Sequence, residues 1–510
     1  MAAVNVDPIC VVIGRTRHKM VQAEVQEAAK QGAKFIELRL DFLAKPPDFK
    51  RLLQDKPCAI LATVRRPADG GRWGGTEDTR RMLLRQAIVA GVDWVDLESD
   101  VISAIPRFGK VQRIVSYHNL QSVPADLEKI HEAMCKTDAD VVKIAVRAQT
   151  PVDNLRVLAL LKAPAKPTVA FCMGDMGMPS RILGAKYGAP FTYAAFNPER
   201  GIAPGLPSFT DLKSIYYYPQ VNAETQVFGV LGDPVAHSLS PLIHNKAMRQ
   251  LGVNAVYLPI RVPRSDFAAS VKAFERLDIK GYSITIPHKE AAAALAATKD
   301  EAVTLTQAAN TLVRGEGGFT ASNTDYQGVI ESLRANLPTD PPPADVSKPL
   351  AGRVALILGA GGVARAVAFA LRSEGVLTTI ANRTSERAQK LAEDVGCKHV
   401  EWGARHGSLC DLLINCTSVG MHPNVDESPV HHSFLKTGLL VFDTVYTPET
   451  TMLVKEARAR GCKVITGVEL FVRQAALQFK LFTGREAPAE LFRKVIKRAL
   501  SPITIKEEEA

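Results

Sequence analysis

The sequence contains no Cys-x-x-Cys pair and no cysteine–histidine set spaced for zinc among Cys10, Cys58, Cys135, Cys172, Cys397, Cys410, Cys416 and Cys462. Neither a structural metal site nor a redox dithiol is therefore expected. No apolar run approaches the roughly 20 residues of a membrane-spanning helix. No Lys/Arg block is interleaved with aromatics, which weighs against a nucleic-acid surface. The net charge of +10 comes from 63 Lys+Arg against 53 Asp+Glu, a dispersed surplus suited to anionic small molecules. Internal repeats and low-complexity tracts are also missing.

What is present is material for several cores. At roughly 150 residues per domain, a chain of 510 residues with 46% hydrophobic content should hold about three domains. In the first half, short β-rich runs recur at Ile9–Ile13, Phe35–Leu40, Ala59–Val64, Trp94–Leu97, Arg113–Tyr117, Val141–Val146, Thr168–Cys172 and Phe191–Ala195. Helix-like segments such as Met20–Gln31, Thr79–Ala90 and Asp126–Cys135 lie between them. This alternation predicts a (β/α)8 barrel, with chemistry at the C-terminal ends of the strands.

Polar residues collect at those ends: Glu37, Arg39, Arg65, Glu98, His118, Lys143 and Arg181. Lys143 interrupts an apolar strand and should point into a confined space, where it either pairs with Glu98 or Glu37 or acts as a nucleophile. Burial and nearby arginines disfavour an ammonium there, the condition for a Schiff-base lysine. His118, expected to end the adjacent strand, is placed to move protons near neutrality.

The motifs Glu37-Leu38-Arg39-Leu40-Asp41, Thr63-Val64-Arg65, Ser116-Tyr117-His118-Asn119, Ala139 through Ala145 and Met173-Gly174 through Ser180-Arg181 resemble type I 3-dehydroquinate dehydratase over roughly residues 8–218. The resemblance implies that Lys143 forms an imine with the substrate ketone and that His118 takes a proton from the adjacent carbon and helps expel water. It implies that Glu37, Arg39 and Arg65 position hydroxyls and the lysine, and that Arg181 holds the carboxylate. The family usually carries Ser-Ala-Pro-Gly-Gln after the eighth strand, with serine and glutamine on the substrate. This chain reads Ile202-Ala203-Pro204-Gly205-Leu206. Losing two such groups is expected to cost about 1–3 kcal/mol each.

A polar junction at 219–225 leads to a new strand, Val227–Leu231. After a proline-rich stretch at 336–349 comes Val354–Leu358 followed by Gly359-Ala360-Gly361-Gly362-Val363, a strand, glycine turn and helix start suited to a pyrophosphate. The next strand ends in Asn382-Arg383-Thr384 rather than an acidic ribose ligand, so Arg383 favours a 2′-phosphate and NADP over NAD.

The motifs Ser238-Leu239-Ser240, Ile286-Pro287-His288-Lys289, Ala309-Asn310-Thr311, Asn323-Thr324-Asp325, Asn415 through Met421 and Gln474-Ala475 complete the set. With the glycine turn they resemble shikimate dehydrogenase over roughly residues 226–495. The resemblance implies a catalytic pair, Lys289 and Asp325. It implies substrate contacts from Ser238, Ser240, Thr285, Asn310, Asp325 and Gln474, with Tyr446 and Gln478 secondary. Gly359–Val363, Asn382, Arg383, Thr384, Thr417, Met421 and Gly467 would surround NADP; His288 is read as structural.

The implied layout is α/β throughout: a barrel (1–218), linker (219–225), substrate domain (226–335), proline-rich loop (336–349), Rossmann domain (350–468), C-terminal helices packing on the substrate domain (469–500) and a tail (501–510). The order matches bifunctional dehydratase–dehydrogenases of plants and some bacteria, acting on 3-dehydroquinate, 3-dehydroshikimate and shikimate without metal, nucleic acid or membrane. The alternatives are a dehydrogenase with a weak or scaffold-only barrel, and quinate in place of shikimate. Cysteines within apolar runs and a strand beginning at Ile9 point to the cytoplasm, or to the plastid stroma after removal of a transit segment.

Overall fold

The computed structural model describes residues 6–197, 199, 202–337 and 348–501. Positions 338–347 of the proline-rich stretch and the tail from 502 lie outside the described residues. Two compact units are distinguished, one holding the chain up to Pro241 with Met248–Ile279, the other Leu242–Ala247 with the chain from Lys280 onward.

In the first unit, eight parallel strands run as β1 (Ile9–Ile13), β2 (Phe35–Arg39), β3 (Ala59–Thr63), β4 (Trp94–Glu98), β5 (Gln112–Asn119), β6 (Val141–Arg147), β7 (Thr168–Met173) and β8 (Thr192–Ala195). Their order is β7-β6-β5-β4-β3-β2-β1-β8, a barrel closed by hydrogen bonds everywhere except between β7 and β8. Across that seam the rings of Phe171 and Tyr193 meet edge to face at 5.9 Å. Strands such as Ile-Cys-Val-Val-Ile are buried along their whole length, as expected where helices cover one face and the barrel interior the other. Pairing of β5 with β6 continues through His118–Ala145 and Asn119–Val146. His118 is therefore the second-last residue of β5, at the C-terminal end of its strand as expected, with the ladder running one residue beyond it.

The junction at 219–225 is tied down: Lys186 Nζ donates to the carbonyls of Ala223 and Thr225 at 2.8 Å, and Thr225 Oγ1 donates to Asn254 Oδ1 at 2.8 Å. Beyond it, β9 (Gln226–Gly232) and β10 (Ala255–Arg261) pair in parallel.

In the second unit, β11 (Ile279–Ile284), β12 (Thr298–Lys299), β13 (Thr311–Gly315) and β14 (Gly318–Ser322) pair in the order β11-β13-β14-β12. A second sheet is wholly parallel: β15 (Val354–Leu358), β16 (Leu377–Asn382), β17 (Lys398–Glu401), β18 (Leu412–Asn415), β19 (Leu440–Asp443) and β20 (Lys463–Ile465), ordered β17-β16-β15-β18-β19-β20. That is the doubly wound dinucleotide-binding order, with its switch point between β15 and β18. The helix Gly467–Thr483 returns to the smaller sheet, where Phe482 fills the space left by Gly281: a Cβ there would sit 2.6 Å from the Phe482 ring. Among the described residues no helix is long and apolar enough to cross a membrane.

Candidate active sites

Strand alternation turns every second barrel residue inward. The lower layer is apolar, with Phe35, Leu61, Trp94, Ile114, Val141 and Phe191 in one cluster. One step further along the strands the interior becomes ionic. Lys143 Nζ lies 3.0 Å from Asp96 Oδ2 and 3.9 Å from Glu37 Oε1. Asp96 also pairs with Arg65 at 2.8 Å and accepts from Ser116 Oγ, and Glu37 accepts from Thr63 Oγ1 at 2.7 Å. Of the two pairings left open by the sequence, that with Glu37 is present at 3.9 Å and that with Glu98 is not, because Glu98 is taken by Arg65 at 2.8 Å and by Arg80 at 2.7 Å. Burial opposes ionisation of Asp96, but Arg65 and Lys143 outweigh it and hold the carboxyl well below the usual carboxylate range.

Glu37, Arg39, Arg65, His118, Lys143 and Arg181, all expected from the sequence, line one pocket at this rim. Arg39 forks onto Asp41 at 2.9 and 2.8 Å. Arg181 stands on the helix Met178–Leu183, 1% exposed, with its guanidinium 4.2 Å from the Phe171 ring centre. Its Nε and Nη1 find no hydrogen-bond partner among the described residues, and burial pushes its pKa down to about 10. A buried fork with open donors has the geometry to receive a carboxylate. Burial, then the charges of Arg65 and Lys143, push His118 well below the ordinary histidine range. Its imidazole is thus neutral and able to accept a proton, and Nδ1 has no partner among the described residues. Ile202 and Leu206 complete the pocket wall and pack on the apolar interior. Their loop is held by Gly174 N–H donating to the Pro204 carbonyl at 3.2 Å. Gly205, at φ +66, approaches so closely that a Cβ would lie 2.5 Å from the Gly174 carbonyl oxygen.

The first unit also carries Ser238 and Ser240, where Ser240 N–H donates to Ser238 Oγ at 3.3 Å at the start of the helix Ser240–Gln250. In the second unit, Lys289 opens the helix Lys289–Leu295 and Asp325 lies in the first turn of Thr324–Asn336. Their side chains meet at 2.6 Å, partly open to solvent. Asn310 fixes that second helix start, accepting from Thr324 N–H at 2.8 Å and donating to its hydroxyl at 2.9 Å. Thr285 is half-buried just after β11, and its carbonyl accepts from His288 N–H at 3.0 Å. His288 is buried at the N-cap of the lysine helix.

Gln478 is buried, donating to the Asn310 carbonyl and Thr311 Oγ1, each at 3.0 Å, and accepting from Ser283 Oγ at 2.8 Å. Those bonds make it a brace between the C-terminal helix and β11/β13, a role its sequence position does not reveal. Gln474 is half-buried one turn earlier, donating to the Phe471 carbonyl at 3.2 Å. Tyr446 stacks on Phe471 at 5.2 Å.

At the glycine turn, Gly359 has φ +114, and a Cβ would meet the Cys416 carbonyl at 2.9 Å. Gly361 caps the helix Gly362–Ser373, and Cβ atoms at Gly361 or Gly362 would meet nothing within 4 Å. Ala360 and Val363 flank this open, amide-rich helix end. Asn382 donates to the Thr384 carbonyl at 2.9 Å, and Arg383 beside it is exposed. Thr417 Oγ1 donates to Asn415 Oδ1 at 2.7 Å, shaping the loop that ends in the exposed Met421. Gly467 lies so near the Val445 carbonyl that a Cβ would be 2.4 Å away. The open backbone at the glycine turn and the exposed arginine after β16, where Asn382-Arg383-Thr384 stands in place of an acidic residue, fit a dinucleotide bearing a 2′-phosphate.

Family models match the chain in series: type I 3-dehydroquinase over residues 9–223, shikimate dehydrogenase substrate binding domain over 230–312, shikimate / quinate 5-dehydrogenase over 344–443, and shikimate 5′-dehydrogenase C-terminal domain over 467–497. The chloroplastic bifunctional 3-dehydroquinate dehydratase/shikimate dehydrogenase of Arabidopsis thaliana is 37% identical, the match covering 97% of this chain and 85% of that protein. The chain belongs to this bifunctional family. The shikimate dehydrogenase (NADP(+)) of Methanopyrus kandleri is 41% identical over 54% of this chain and 96% of its own. A crystal structure of shikimate dehydrogenase in complex with NADP+ superposes with a TM-score of 0.51 at 32% identity, covering 55% of this chain and 98% of that one.

Sequence reasoning missed three participants. Asp96 is the nearest carboxylate to Lys143, and the alternation Trp94-Val95-Asp96-Leu97-Glu98 already places it inward with Glu98. Tyr193 lies under Lys143, its ring centre 4.1 Å from Nζ. Asp443, buried at the end of β19, accepts from Thr451 Oγ1 at 2.6 Å and Asn415 Nδ2 at 3.0 Å. Burial raises its pKa; only the fold shows that it organises the loop after β18.

Proposed function

We propose that the barrel dehydrates 3-dehydroquinate to 3-dehydroshikimate and that the second half reduces this product to shikimate with NADPH. The observation that carries the reading is the barrel pocket, where a buried lysine, a neutral histidine on the adjacent strand and an arginine with open donors line one space. As the free amine, Lys143 adds to the substrate ketone, and the resulting carbinolamine takes up one proton and loses water to leave a protonated imine. The imine makes the neighbouring C–H acidic, His118 takes that proton, and the enamine electrons expel the β-hydroxyl as water with the proton returned through His118. Hydrolysis of the conjugated imine frees the ketone and the lysine. Arg181 holds the carboxylate throughout, while Glu37, Arg39 and Arg65 orient hydroxyls and the lysine.

In the reductase, Gly359–Val363, Asn382, Arg383, Thr384, Thr417, Met421 and Gly467 would hold NADPH. Bound there, it supplies a hydride. Lys289 gives its proton to the ketone oxygen, and Asp325, 2.6 Å away, holds the ammonium in place. Ser238, Ser240, Thr285, Asn310 and Gln474 orient the ring and its carboxylate, with Tyr446 at the edge and Gln478 bracing Asn310. The domain limits given from the sequence accompany this reading. So does a reducing compartment, cytoplasm or stroma, supported by eight free cysteines.

The apolar Ile202 and Leu206 in the pocket wall favour a second reading, a dehydrogenase whose barrel is weak. Incubating the protein with 3-dehydroquinate and no NADPH separates the two. Ultraviolet absorbance from the conjugated product, absent in Lys143→Ala, supports the full sequence of reactions. No absorbance from protein that still reduces 3-dehydroshikimate leaves only the dehydrogenase.

A further inference from the structure

Lys143 is enclosed on one side by carboxylates and on the other by an aromatic face. Its Nζ lies 4.1 Å from the ring centre of Tyr193, and the two residues are 5% and 3% exposed. The ring cannot tilt freely, because Phe171 meets it at 5.9 Å and Phe191 at 5.5 Å, both edge on. We propose that the face of Tyr193 is a positioning seat for the nitrogen of Lys143, holding it where positive charge develops as the substrate iminium forms. The proposal deepens the dehydratase reading and rests on it.

The chemistry explains why a ring suits this place. In R–NH2 + O=CR2 + H+ → R–NH+=CR2 + H2O the positive charge comes to rest on the lysine nitrogen. Asp96 can also neutralise that charge, but a carboxylate is a base and a nucleophile. An aromatic face presents negative potential without a lone pair to take the proton or attack the imine carbon, and burial strengthens the attraction. The hydroxyl of Tyr193 has no hydrogen-bond partner among the described residues. Burial, with Cys10 and Glu37 nearby, raises its pKa well above the ordinary tyrosine value, so it stays protonated. The role therefore belongs to the ring.

The test keeps the shape and changes only the electrons. Tyr193→Phe, followed by mono-, di- and pentafluorinated phenylalanine at the same position, drains the ring face in steps. For each full-length protein, dehydration of 3-dehydroquinate and the borohydride-trapped imine are measured, with reduction of 3-dehydroshikimate in the same preparation as the folding control. Tyr193→Phe should stay within about threefold of the parent, and turnover and trapped imine should then fall stepwise, about tenfold or more by the pentafluoro form. Reduction should not change. A flat series overturns the proposal, as does Tyr193→Phe losing activity by itself, which would assign the role to the hydroxyl. A parent protein that traps no imine overturns the dehydratase reading and this proposal together; a flat series with an active parent overturns the seat alone.

Discussion

Lys143 and Arg65 share one carboxylate: Asp96 Oδ2 is 3.0 Å from the lysine nitrogen and 2.8 Å from the guanidinium. Among the described residues Asp96 is the one carboxylate that contacts both basic groups, while Glu98 serves Arg65 and Glu37 lies 3.9 Å from Lys143. Asp96→Asn is therefore expected to destabilise the barrel by about 3–5 kcal/mol and to abolish dehydration while reduction persists. Urea unfolding with both assays on the same sample checks it, and a variant with parental dehydration would remove Asp96 from the site.

The two lysines should separate the two reactions. Lys143→Ala is expected to eliminate dehydration and leave reduction intact. Lys289→Ala should lower reduction by about 10²–10⁴-fold without weakening NADPH binding, followed by fluorescence titration. Unchanged turnover in either variant would exclude that lysine from its reaction.

The pocket wall offers a gain-of-function experiment. Leu206→Gln places an amide where the dehydratase family usually has one, and one added hydrogen bond should raise dehydratase kcat/KM by about tenfold. A decrease would mean that the site has been remodelled around the leucine.

Arg383 is expected to set cofactor choice. Arg383→Ala should lower kcat/KM with NADPH by about tenfold or more and leave that with NADH nearly unchanged. An equal loss with both would show that the guanidinium does not discriminate the 2′-phosphate.

His244 predicts an acid-labile second unit. It is enclosed by Phe479, Phe482 and Phe492 at 6.0, 5.9 and 5.6 Å, and burial pushes its pKa down to about 3. Above pH ~6.5 the group is neutral folded or unfolded, and its full contribution is present. As pH falls toward 3, the unfolded chain takes up a proton that the folded one refuses, and stability declines by about 1.4 kcal/mol per pH unit. Urea midpoints between pH 7.5 and 4.5 should fall less steeply in His244→Leu; parallel slopes would rule the histidine out.

Much of this architecture was legible from period and punctuation. Alternation in Glu37-Leu38-Arg39 and the polar interruption at Lys143 placed the barrel site, and the glycine turn with Arg383 placed the cofactor end. Pairings across the barrel were not legible. Whether Lys143 meets Glu98, Glu37 or Asp96 depends on stagger between strands and on Arg80 arriving from a helix to claim Glu98. Tyr193 is one aromatic within the apolar run Phe191–Ala195, and nothing local says what lies above its ring. The hydrogen bonds of Gln478, a secondary substrate-contact candidate in the sequence, were not legible either, since its partners Ser283, Asn310 and Thr311 are distant in sequence and become neighbours only through the returning helix.

The glycine-to-glycine seam beneath Ile202 and Leu206 has a practical consequence. Gly205 and Gly174 touch backbone to backbone, and the Pro204 carbonyl is pinned by the Gly174 amide. The path of this short loop is thereby fixed independently of the side chains it presents to the pocket. Positions 202 and 206 act like interchangeable tool heads on a fixed arm, a ready place to retune which ring the barrel accepts while leaving the lysine, its carboxylate and the arginine fork undisturbed.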